Sequence, residues 1–216
     1  DLLQSVFLDM FGDPVTNPMG WEVKELGDVV SHVSSGSTPK GGSSVYQDHG
    51  FMFIRSQNVL NLGFDFSDVA YISSEIHNSM KRTWVKHGDV LLHITGASIG
   101  RVNYYQGEDE SSNVNQHVCI IRPNTSKIKP EFLTHLIGFA TYQRKILGEN
   151  KGATRQAFNF KQIRGFKIIL PPLEVQEEFR VAISKIKMQK RIMLNSQSNF
   201  SNMFSSLQQH AFRGEL

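Results

Sequence analysis

The chain has one cysteine, Cys119, in 216 residues. A lone thiol excludes an internal disulfide and fits a reducing cytoplasm. No apolar run approaches the roughly twenty residues that a spanning helix needs, so no membrane segment is expected, and the first residues do not have the form of a signal peptide. Low-complexity blocks are missing as well. Signatures of chemistry are equally scarce. There is no phosphate loop ending in Gly-Lys-Ser/Thr, no pair of Cys or His at metal-ligand spacing, and no Gly-x-Ser-x-Gly elbow. No Asn-Pro-Pro-Tyr-like amino-methylation motif occurs, and Glu108, Asp109 and Glu110 lack the lysine partner of a nuclease set. Asp89 and His93 alternate onto one strand face without a third partner. These absences favour binding over catalysis, with no metal and no cofactor expected.

Proline and glycine are absent between Pro172 and Gly214. The strand-like run Phe166–Leu170 stops at Pro171 and Pro172, which cannot donate to a ladder. Acids at Glu174, Glu177 and Glu178 then suit the positive end of a helix. An uninterrupted helix of about forty residues, on the order of 60 Å, is predicted. Its apolar positions alternate four and three apart: Phe179, Ile183, Ile186, Met193, Phe200, Phe204, Leu207 and Ala211. Lys190 and Gln197 fill the gaps, which makes a heptad seam with two polar positions. So narrow a stripe on so long a helix calls for another long helix beside it.

Leu2, Gln4 and Phe7 recur at the same offsets as Leu207, Gln209 and Phe212, and both segments run into glycine-containing stops. Residues 1–11 therefore read as the tail of an equivalent earlier helix. The start at Asp1 rather than Met is consistent with one repeat, carrying the end of another, from a longer protein.

Between the helices, many short strands and a few short helices predict an α+β fold. Three segments are expected: a helix tail and connector (1–14), a β-rich globular domain (15–171) and one long C-terminal coiled-coil helix (172–216). Strands are expected at 51–55, 69–72, 89–95, 102–105, 118–121 and 166–170. One amphipathic helix is expected from Pro130 to Leu147. With 39% hydrophobic residues the chain can bury a sizeable core. A formal charge of +3 is compatible with a polyanionic partner.

Two open loops stand out. The first, residues 34–44, holds three glycines with Ser37, Thr38 and Lys40. Glycines let backbone approach a ligand, and small hydroxyls bond phosphates or base edges. The second holds Lys151, Thr154 and Arg155. Arg55, Gln57 and Asn58 follow a strand end, and amides and arginine are the side chains that pair bidentately with adenine and guanine. Gly96 to Arg101 breaks a strand and presents Ser98 and Arg101. A nucleotide- or phosphoester-binding enzyme using that turn is one alternative. A coiled-coil adaptor with a protein-binding globular domain is another.

In order along the chain, residues 3–14, Gly20-Trp21 with 26–28, Gly36–Pro39, Phe53–Asn58, Gly88–Leu92 with Thr95–Arg101, Val114–His117 and Leu170–Gln176 resemble one half of the DNA-specificity subunit of type I restriction–modification systems. The resemblance implies a non-catalytic target-recognition domain followed by a spacer helix. It implies double-stranded DNA as ligand, one half of a split site being read by each of two recognition domains. It implies as partners adenine methyltransferase subunits, motor–nuclease subunits where restriction occurs, and a second recognition half, covalent or supplied by a homodimer. DNA contacts are then expected at Ser37, Thr38, Lys40, Arg55, Gln57, Asn58, Ser98, Arg101, Lys151, Thr154 and Arg155.

Overall fold

Two strands with no polar face decide the architecture. Residues Val90–His93 and Val118–Ile121 are buried throughout. Side chains alternate across a strand, so both faces of such a strand must be covered. Val90, Leu92, Cys119 and Ile121 enter one apolar cluster, whereas Leu91, Val118 and Ile120 enter a second on the other face.

The computed structural model describes residues 2–149 and 157–213. In chain order the elements are α1 (Leu2–Phe11), β1 (Val23–Glu25), β2 (Val30–Ser35), β3 (Phe51–Ile54), β4 (Val59–Leu60), β5 (Gly63–Phe64), β6 (Ala70–Ile72), α2 (Ser74–Ser79), β7 (Val90–His93), β8 (Val102–Tyr104), β9 (Ser112–Val114), β10 (Val118–Pro123), α3 (Pro130–Gly138), α4 (Ala140–Glu149), α5 (Phe160–Arg164), β11 (Lys167–Ile169) and α6 (Leu173–Phe212). The fold is mixed α+β with a long C-terminal helix.

The central sheet runs β2-β10-β7-β8, all antiparallel. A second sheet runs β6-β3-β9, with β3 and β9 parallel. The smaller apolar cluster lies between the sheets, where Ile54 and Val114 meet Leu91, Val118 and Ile120. The larger one lies between the central sheet and the helices. A two-stranded ladder, β1 with β11, joins the start of the domain to the strand that leads into α6.

The larger core crosses both segment boundaries expected from sequence. Phe7 and Phe11 of α1 and Phe179 and Ile183 of α6 are buried in it. Their rings converge: Phe7 lies 5.5 Å from Phe179, 5.8 Å from Phe132 and 5.3 Å from Phe139. His135 closes this junction edge-on to Phe179, its Nδ1 2.8 Å from the Glu131 carbonyl. Burial pushes its pKa down to about 4, so it stays neutral at pH 7.

The helix expected from Pro130 to Leu147 is two helices. The chain turns extended at Phe139 and starts again as α4. Gly138 lies against Asn61, Leu62 and Val102, where a Cβ would approach to 3.1 Å. Phe139 thereby turns into the aromatic junction. Helix α5 is a further addition, started by Asn159, whose side chain accepts from the Gln162 amide while Gln162 bonds back.

Candidate nucleic-acid interface

The parallel strands β3 and β9 end side by side, with Ile54 opposite Val114. Beyond them the chain turns through Asn115, Gln116 and His117 into β10. The glycine-rich loop after β2 crosses this edge. A Cβ on Gly36 would fall 1.6 Å from the Val114 carbonyl oxygen, so only glycine lets the two backbones cross here. That crossing delivers Ser37, Thr38 and Lys40 to the surface, all exposed.

A line of hydrogen bonds then links three loops. Thr38 Oγ1 bonds Gln116 Oε1, and Gln116 Nε2 lies 3.1 Å from His117 Nε2. His117 Nδ1 lies 2.6 Å from Thr95 Oγ1. Thr95 opens the turn Gly96–Ser98, and Arg101 leaves that turn exposed, while Ser98 is half-buried. Thr95 also bridges Ala157. Ala157 is the first described residue after the second open loop. Lys151, Thr154 and Arg155 themselves lie outside the described residues.

The electrostatics of this edge are positive. Burial lowers the pKa of His93, and His117 and Arg101 lower it further. A neutral His93 sits beneath an exposed guanidinium that makes no ion pair among the described residues. Such an arrangement can hold an anion at Arg101 and present hydroxyl and amide groups beside it.

The third expected group is placed differently. Asn58 is 2% exposed, and its side chain is consumed within the fold. Its oxygen accepts from the Arg55 amide, and its nitrogen donates to the carbonyls of Asp65 and Asp68. A side chain so occupied has nothing to offer a base, and Asn58 is removed from the contact set. Arg55 donates to Asp68 at 2.9 Å and Gln57 donates to the same carboxylate at 2.6 Å. Asp68, which no sequence pattern singled out, holds both. Arg55 Nη2 and Gln57 Nε2 are thus both engaged by one carboxylate.

The expected seam also divides. Phe179 and Ile183 face α1 and α3 inside the core rather than a free partner helix. The apolar periodicity is continuous because α6 runs from the core straight into solvent. Ile186 is half-buried at the exit. Met193, Phe200 and Phe204 are 71%, 68% and 57% exposed. The side chain of Leu207 lies outside those described. Among the described residues no helix is long and apolar enough to cross a membrane.

Asp89 does not pair with His93. It is fully buried and holds Arg122 of β10 through two bonds of 2.7 Å, while also accepting from the Lys86 amide.

Comparison with known proteins bears on this geometry. The family described as type I restriction modification DNA specificity domain matches residues 18–197. The putative type I restriction enzyme MjaX specificity subunit of Methanocaldococcus jannaschii is 28% identical over 170 residues, which are 77% of this chain and 39% of that protein. The type I restriction enzyme EcoBI specificity subunit of Escherichia coli is 28% identical over 172 residues, 77% of this chain and 36% of that one. The solved HsdS subunit from Thermoanaerobacter tengcongensis has the same fold, with a TM-score of 0.60 at 21% identity over 100% of this chain and 51% of its own. A chain from a structure on complex assembly and conformational transition of the type I R-M system gives a TM-score of 0.63 at 22% identity, covering 100% of this chain and 52% of that one. The chain thus spans under half the length of these curated relatives and about half of the solved chains. With the family matched over most of its length, the chain belongs to the type I restriction modification DNA specificity domain family.

Proposed function

We propose that this chain reads one half of a bipartite double-stranded DNA target and performs no chemistry itself. Support comes from the edge linked through Thr38, Gln116, His117 and Thr95, which also carries the exposed Ser37, Lys40 and Arg101, the last without an ion pair among the described residues. Phosphates supply most of the affinity of such a surface, and arginine or amide contacts supply the selection. The exposed arm of α6 pairs with the helix of a second recognition half, covalent or a second copy, and so sets the spacing between half-sites. Phe212 is 90% exposed, whereas Phe7, at the equivalent place in the repeated pattern, is fully buried. The end of α6 accordingly seats on that second half as α1 seats on this one. The assembled subunit recruits adenine methyltransferase subunits, and motor–nuclease subunits where restriction occurs, in the cytoplasm.

Lys40→Ala is expected to weaken binding to all duplexes alike. It should flatten the slope of log K against log salt by about 0.9, the value for one phosphate contact. Arg101→Ala is expected to relax preference at one base position by about 1–3 kcal/mol if its fork meets guanine. Titrations of target and scrambled duplexes at several salt concentrations read both. An unchanged slope removes Lys40 from the phosphate set, and an unchanged preference ratio removes Arg101 from the reading set.

A further inference from the structure

Beside the loop that carries Ser37, the free edge of β2 opens into a cleft of about 480 Å³. Ser34, Ser35 and Ser37 form its floor, Asn78 to Thr83 one wall, and Phe160 of α5 the other. Lys81 and Arg82 are exposed on the first wall, and neither is ion-paired to a carboxylate among the described residues. Among the described residues no carboxylate lines the cleft. The Lys81 ammonium lies 5.7 Å from the centre of the Trp84 ring. Phe160 is 40% exposed at the rim although it opens a helix whose Ile163 is fully buried.

A concavity with hydroxyls on its floor, two cations without an ion pair among the described residues on one wall and an aromatic ring on the other matches a sugar–phosphate backbone. We propose that this cleft is a second DNA contact, in which Lys81 and Arg82 take consecutive phosphates and Phe160 lies against the adjoining sugar. The proposal rests on the reading of the chain as a DNA-recognition domain and extends its footprint. The loop edge at Thr38 and Arg101 and the cleft then share Ser37 at their junction. Cation contacts of this kind add affinity and register while leaving the choice of sequence to the loop edge.

The test uses the chain assembled with its methyltransferase subunits, a target duplex and a salt series. Lys81→Ala with Arg82→Ala is expected to reduce the salt slope by about 1.8, two phosphates' worth, and to leave the preferred sequence unaltered. The charge-preserving pair Lys81→Arg and Arg82→Lys should restore the slope. Phe160→Ala should weaken binding severalfold at constant slope. Both cations are exposed, so the melting temperature of the alanine pair should stay at that of wild type. If wild type selects its target and the alanine pair keeps the wild-type slope, the cleft assignment falls while the DNA reading stands. If wild type itself neither binds nor selects, the DNA reading fails and takes the cleft with it. A thermal shift by inorganic phosphate that is lost in the alanine pair, alongside an unchanged DNA slope, would make the cleft a free-anion site and overturn the proposal.

Discussion

Arg122→Ala is expected to cost about 3–5 kcal/mol of folding stability, the range for removing one partner of a buried ion pair. Asp89 is fully buried, and Arg122 contributes two of the three hydrogen bonds that satisfy its carboxylate. The pair spans the two central strands: Val90 lies opposite Ile121, so Asp89 and Arg122 are the next facing positions. Arg122 also donates to the Trp84 carbonyl and so ties the loop before β7 to the sheet. Truncating the arginine strands a carboxylate that water cannot reach. Asp89→Ala should cost less, because the Arg122 side chain is 27% exposed and can turn to solvent. The double variant should be more stable than the sum of the two losses implies, since neither charge is then left alone. Denaturant midpoints at constant m-value read all three. A loss below about 1 kcal/mol for Arg122→Ala would show that the pair carries little of the fold's stability.

Phe200→Glu together with Phe204→Glu is expected to abolish association through α6. Both rings stand more than half exposed on an arm that leaves the core after Ile183. Met193 and Ile192, 71% and 53% exposed, continue the apolar surface toward the domain. A helix arm of this length with no covering partner is unstable by itself in water, because its apolar stripe stays wet. Placing two carboxylates in the seam removes two apolar anchors and introduces like charges across the pair. With each anchor worth about 2 kcal/mol or more, association should weaken by roughly three orders of magnitude. Sedimentation equilibrium should return a paired mass for wild type and a single-chain mass for the variant at micromolar concentration. Equal paired masses would exclude the two phenylalanines from the pairing surface, and a single-chain mass for wild type would exclude pairing of two copies. The melting of the globular core should be unaffected, since the fully buried part of α6 ends at Phe179 and Ile183.

Much of this was legible in the sequence for physical reasons that can be named. The nearly all-apolar runs at 90–93 and 118–121 read as strands covered on both faces, and they are the two centre strands. The unbroken stretch after Pro172 can only be a long helix, and α6 spans Leu173–Phe212. Less legible was where the core ends. Phe179 and Phe200 belong to one heptad series, and nothing in their spacing says that the first meets Phe7 while the second meets solvent. The parallel pairing of β3 with β9 is similarly hidden, since it joins strands some sixty residues apart with no local signal. The role of Asn58 shows a different limit. An amide at a strand end serves equally to read a base or to satisfy backbone groups, and only the contacts of its own fold decide between them. The cleft residues Lys81, Arg82 and Phe160 come from two separate segments, and only the packing of both against β2 brings them together.

Selection from a random duplex pool, with the methyltransferase subunits present, tests the central claim most directly. One short half-site should be enriched, or the same half-site twice, inverted at a fixed spacing, where α6 pairs two copies. A pool that stays flat despite measurable binding would contradict sequence reading by the loop edge, and no retained DNA at all would contradict the assignment of this chain as a target reader.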